Sequence, residues 1–109
     1  MHAIDITDRW AAKTLTCEQI RIYLENDVFS VETHYDADAV SHVAECCYHI
    51  YLWATHQLPA VGSFLTAVID NDLMKSVNYA DGTNRDLLWV YVIFLYNTAP
   101  ARWRERSKQ

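Results

Sequence analysis

The sequence predicts a mainly α protein, a small antiparallel helical bundle with a less regular N-terminal third. Three observations lead there. Only two glycines and two prolines occur in 109 residues, at Gly62, Gly82, Pro59 and Pro100, and an all-β sandwich needs more turn residues than that. Half the chain is apolar (51%), which supports a core and argues against disorder. The apolar residues recur at spacings of three and four over long unbroken stretches, the period of a helix face. A chain of this length makes one domain, and burying about 60–70% of its unfolded surface is enough for a core without staples. The helical domain is expected over 1–101, with a basic C-terminal tail at 102–109.

Residues 1–15 give weak signals. Trp10, Ala11, Ala12 and Leu15 fit a helical turn behind Asp8. Thr16 is a suitable N-cap, with Gln19 three residues on to complete a capping box. Ile20, Tyr23, Leu24 and Val28 then share one helical face. The same stretch also suits a β-hairpin, because Ile20, Ile22 and Leu24 alternate, Phe29 to Tyr35 is rich in β formers, and Glu25-Asn26-Asp27 can turn. Periodicity does not separate the two. A helix at 16–26 with an extended piece near 28–34 is the reading taken, and a short hairpin is the alternative.

Residues 36–57 form the clearest helix. Asp36 or Asp38 can cap it, and Val40, Val43, Ala44, Cys47, Ile50, Tyr51 and Ala54 make one stripe. Leu58-Pro59 ends it, since the residue before proline avoids the α region. Ser63 is expected to cap a helix running to about Tyr79, with Leu65, Val68, Ile69, Leu73, Met74 and Val77 on its buried face. Asp81-Gly82 marks a turn. Thr83 then caps a last helix, with Asp86 in its first turn. Leu87 to Tyr96 is apolar on nearly every side and is therefore expected at the centre of the fold; a buried strand is the competing reading. Pro100 stops it. The short links at 58–62 and 79–83 imply antiparallel neighbours.

Charge and cysteine content narrow the function. The net charge is −5, but it is uneven: residues 1–101 hold thirteen acids against five bases, and 102–109 hold four bases against Glu105. An acidic body disfavours nucleic acid as the main partner, because phosphate binding is driven by positive charge. The basic tail, Arg102, Trp103, Arg104, Arg106 and Lys108, is the exception. The cysteines are Cys17, Cys46 and Cys47, an odd number with an adjacent pair, and Met1 to Asp8 lacks the apolar core of a secretory leader. A reduced, cytoplasmic setting follows. The longest apolar run, ten residues from Leu87 to Tyr96, reaches about 15 Å as a helix, half a bilayer core, so no membrane role is expected.

One stretch is also familiar as a pattern. Pro59 and Gly62, then GSFLTAVIDNDL from Gly62 to Leu73, an Ala-Asp at Ala80 and Asp81, Asn84, and FLYNTAP ending at Pro100 resemble a family of small uncharacterised proteins found mainly in bacteriophages and prophages. The likeness covers about the last 40–50 residues. Members of that family continue into a Trp-Gly-Ser and a further helix, whereas this chain has Arg102-Trp103-Arg104-Glu105. The resemblance implies a phage accessory protein and no particular reaction.

Several clusters hold residue types that can carry chemistry. His42, Cys46, His49, Trp53 and His56 form a second stripe on the 36–57 helix. Two histidines flanking a cysteine at helical spacing can offer nitrogen and sulfur to zinc, but zinc takes four ligands and only Asp38 or His34 remain to complete the set. A packed contact face is the simpler reading. Asp70-Asn71-Asp72 lacks the glycine and the closing glutamate of a calcium loop, and on one continuous helix its two carboxylates diverge by about 200°. Asn71 and Asp72 read as a polar edge open to a partner. No nucleophile elbow, phosphate loop or CxxC is present, and helix-interior thiols behave as small hydrophobes; the protein is read as a non-enzyme without cofactor. Four tryptophans and seven tyrosines exceed what a small core hides, and exposed aromatics mark interfaces. The sequence therefore points to a protein that binds a host or phage protein by occlusion and also self-associates. Trp53, Asn71, Asp72, Arg102, Trp103 and Arg104 are the candidate binding residues. Nucleic-acid binding through the tail and metal binding on the His/Cys face are the alternatives.

Overall fold

Helices account for most of the residues described by the computed structural model, 2–29 and 36–108. In chain order the elements are α1 (Ala3–Ala11), α2 (Cys17–Tyr23), a single π-helical turn (Leu24–Val28), α3 (Ala37–Ala54), α4 (Ser63–Ile69), α5 (Leu73–Tyr79), α6 (Gly82–Asp86), α7 (Leu88–Thr98) and a kinked 3₁₀ segment (Trp103–Lys108). No strand occurs among the described residues. Glu25-Asn26-Asp27 lies inside the π-helical turn that extends α2, so a hairpin turning there is ruled out. Most of the extended piece expected near 28–34 lies outside the described residues.

The caps explain most boundaries. The Thr16 hydroxyl accepts from Gln19 N at 3.2 Å while Thr16 N donates to Gln19 Oε1 at 2.9 Å, so the capping box forms as the sequence predicts. Asp36 caps α3 by accepting from Ala39 N. Ser63 does not cap α4; Gly62 occupies that position and Ser63 is the first helical residue. Asp81, rather than Thr83, caps the next helix, accepting from Asn84 N at 2.8 Å. Residues 2–28 are more regular than expected, with α1 beginning at Ala3 where Asp5 accepts from His2 N.

Two predicted helices are each broken in two. The 63–79 stretch turns at Asp70–Asp72, where Asn71 adopts φ 58° and Asp72 caps α5 by accepting from Lys75 N at 3.0 Å. Asparagine tolerates the left-handed region better than other non-glycine residues, and aspartate is a strong N-cap, so the triplet ends one helix and starts the next. Asp70 and Asp72 consequently do not share a helix. The second break is at Leu87, which leaves helical geometry (φ −110°, ψ 16°) between α6 and α7.

The core centres on Trp10, whose ring meets Tyr51 at 5.5 Å, Phe94 at 6.1 Å and Trp103 at 6.1 Å. Ile6, Ile20, Leu24, Val43, Ile50 and Val90 complete its apolar lining. Helix α3 is the organising element, contacting α2, α4, α7 and the 3₁₀ segment, while α1 packs on α2 and α7. Thr7 Oγ1 donates to Thr98 O at 2.7 Å and fastens α1 to the end of α7. The radius of gyration, 13.1 Å, is the value of about 13 Å expected of one packed body this long. The body measures 41 × 32 × 18 Å, and 18 Å is room for only two helix layers, since packed axes stand about 8–10 Å apart.

Candidate interaction surfaces

That thinness overturns one expectation. Helix α7 is not wrapped on all sides: Val90, Tyr91, Phe94 and Thr98 are fully buried, whereas Trp89, Val92, Ile93 and Tyr96 are exposed. In a body two helices thick, every helix keeps a face toward solvent. The exposed four fall at i, i+3, i+4 and i+7, one stripe along the outside of α7. Tyr96 is 88% exposed and Val92 59%. No charged residue lies between Leu87 and Ala101, so the stripe itself carries no charge.

Beside the C-terminal half of this stripe runs a groove of about 680 Å³. Val68 and Asn71 form one wall, Val92, Leu95 and Tyr96 the other, and Pro100 to Glu105 close the end. The closing segment is held from both sides. Trp103 stacks edge-on against Trp10, the Arg104 guanidinium lies 4.7 Å over the Trp103 ring, and Arg104 Nε donates to Ile69 O at 2.7 Å. That last bond satisfies a carbonyl left orphaned at the end of α4. Arg102 is mostly exposed, pairing with Glu105 at 2.8 Å, and gives the groove a basic rim.

A second apolar face lies on α5. Leu73 (69% exposed), Met74 (84%) and Val77 are exposed on it, where the sequence placed all three on a buried face; Tyr79, also exposed, points to another side of the helix. The break at Asn71 is the cause, because it re-aims the helix so that Ser76 and Ala80 turn inward instead. Helix α5 packs on α4, and Arg85 fastens its end through bonds to Val77 O and Ala80 O.

The predicted site residues divide accordingly. Asn71, Arg102, Trp103 and Arg104 come together in the one groove. Asp72 does not line it, and its carboxylate is used as the cap of α5. Trp53 lies apart, half-buried, in a hollow of about 120 Å³ with Pro59, Val61 and Ile69. Trp89, Val92, Ile93 and Tyr96 were missed as surface residues, since a helix apolar on nearly every side reads as core and no charged residue between Leu87 and Tyr96 marks its outer face.

The His/Cys stripe brings Cys46 Sγ to 3.7 Å from His42 Nε2, but among the described residues no three His, Cys, Asp or Glu side chains are grouped to hold a metal ion. His34 lies outside the described residues. Burial pushes the Cys47 thiol well above its ordinary range, and burial also raises Cys46 and Cys17. All three thiols are unpaired and protonated at neutral pH, which makes them poor nucleophiles. Behind them, Tyr91 OH donates to Asn84 Oδ1 at 2.6 Å within the core, and desolvation raises the Tyr91 phenol strongly. Among the described residues no helix is long and apolar enough to cross a membrane. Comparison with known proteins finds no matching family model, and no match among curated proteins or solved structures.

Proposed function

We propose that this chain is a small phage-type accessory protein that acts by binding another protein, a host or defence protein, and covering part of its surface; it is not a catalyst. The apolar face of α5 is the observation that supports this reading. Three apolar side chains, Leu73, Met74 and Val77, stand out on one face of a helix that packs on α4, and exposed apolar surface of this kind marks interaction sites. A methionine on such a face adapts to a partner's contours. An antiparallel bundle, favoured by the short interhelical links, is the frame that would present it, and the unpaired thiols favour the host cytoplasm. Nucleic-acid binding through the tail is less well supported, because the Trp103 ring is occupied by Trp10 and Arg104.

The test is affinity capture from host lysate with the intact protein and with a Leu73→Asp, Met74→Asp variant. A protein retained by the wild type and lost from the variant, at unchanged helical circular dichroism, is the expected result. Equal recovery on both, or no retained protein on either, would overturn the proposal.

A further inference from the structure

The α7 stripe and its groove call for a different occupant from the α5 face. We infer that they are covered by a second copy of this chain, with the two α7 helices packed antiparallel about a twofold axis near Val92 and Ile93. This rests on the reading above only in treating the protein as one that works through its surfaces, and it uses a different face.

Neutrality is the first ground. The chain carries −5 overall, so most faces of two copies repel, whereas nothing charged lies between Leu87 and Ala101. Charge at the two ends of the stripe is the second. The exposed Asp86 lies just before α7, and the exposed Arg102 lies just after it, on the rim of the groove that Tyr96 also lines. Antiparallel pairing sets Asp86 of each copy toward Arg102 of the other, twice over; parallel pairing would set like against like.

Shape is the third ground. An axis near 92 and 93 places the Trp89 of one copy opposite the Tyr96 of the other, at the mouth of the groove. The groove has Val68, Val92, Leu95 and Tyr96 along its walls and Arg102, paired with Glu105, and Arg104 at its closed end, so an aromatic ring entering it meets apolar walls and a cationic end. Trp89 packs edge-on against Phe29 of its own copy at 5.7 Å, and it is the remaining exposed edge of its ring that antiparallel pairing brings to the mouth of the other copy's groove.

Light scattering after size exclusion on the full chain is expected to give twice the 12.7 kDa subunit mass at micromolar concentration. Ile93→Asp is expected to weaken association at least a hundredfold and yield monomer with unchanged helical signal. Oxidative cross-linking fixes the register: Val92→Cys is expected to bridge to itself, and Trp89→Cys to bridge to Tyr96→Cys far faster than either does to itself, with the wild type as the background for native thiols. Wild type that stays monomeric at several hundred micromolar, or a dimer insensitive to Ile93→Asp, would overturn the inference. So would Trp89→Cys bridging fastest to itself. A monomer that still captures a partner through α5 would sink this inference and leave the proposed function standing; a dimer without a partner would do the reverse.

Discussion

Tyr91 and Asn84 show how much a single buried polar pair can carry. Asn84 is buried and Tyr91 is fully so, and the phenol is the donor to the Asn84 side-chain oxygen. Tyr91→Phe removes that donor and strands the oxygen, at a cost of about 1–3 kcal/mol. Urea denaturation should show that loss, and a Tyr91→Phe, Asn84→Ala double variant should lose less than the sum of the singles. Trp10 is the other extreme. Three aromatic rings lean on it, so Trp10→Ala is expected to cost about 3–5 kcal/mol and to leave little folded protein on a thermal melt.

At the scale of elements, the corner at Asn71 decides where α5 points. Asn71→Gly is expected to be neutral or mildly stabilising, whereas Asn71→Val forces a β-branched residue into the left-handed region at about 1–2 kcal/mol. The difference between their denaturation midpoints checks the backbone argument without touching any contact. Asp72→Ala should cost about 1 kcal/mol through its lost cap. Helix α3 and the Thr16–Gln19 box could be read directly from the chain, because an eighteen-residue stripe and a reciprocal cap are local signals. Asp70-Asn71-Asp72 was equally local but was masked by apolar spacing that continued on both sides. The break at Leu87 has no signal in its own residues; Leu87 is drawn into the core while the chain turns around it. The groove was half legible: Asn71, Arg102, Trp103 and Arg104 stood out as residue types, but their convergence depends on Arg104 reaching Ile69, thirty-five positions earlier.

For the molecule as a whole, the buried hydroxyls and thiols set an alkaline limit. Burial raises Cys47, Cys46 and Tyr91 above ordinary values of 9.0 and 10.0. The folded state thus keeps protons that the unfolded chain releases. Stability is fully present below about pH 9 and falls as pH rises from there toward the folded-state values. Urea midpoints between pH 7 and pH 11 should be level at first and then decline; a flat profile to pH 11 would contradict the burial described. The thinness of the body, 18 Å, makes its closing segment matter more than a tail ordinarily does. Trp103→Ala uncovers one side of Trp10 and should lower the melting temperature by several degrees, as a loss of about 1–2 kcal/mol does in a domain this size.

The bond from Thr7 to Thr98 joins positions ninety-one apart, and that distance has a kinetic meaning. Closing a loop of this length costs about 4 kcal/mol of chain entropy before the contact returns anything. Helix α1 therefore gains its place only after α2, α3 and α7 have come together and shortened the effective loop. A weakened α1 contact, such as Thr7→Val, should leave the refolding rate nearly unchanged and quicken unfolding, the pattern of an interaction made after the transition state.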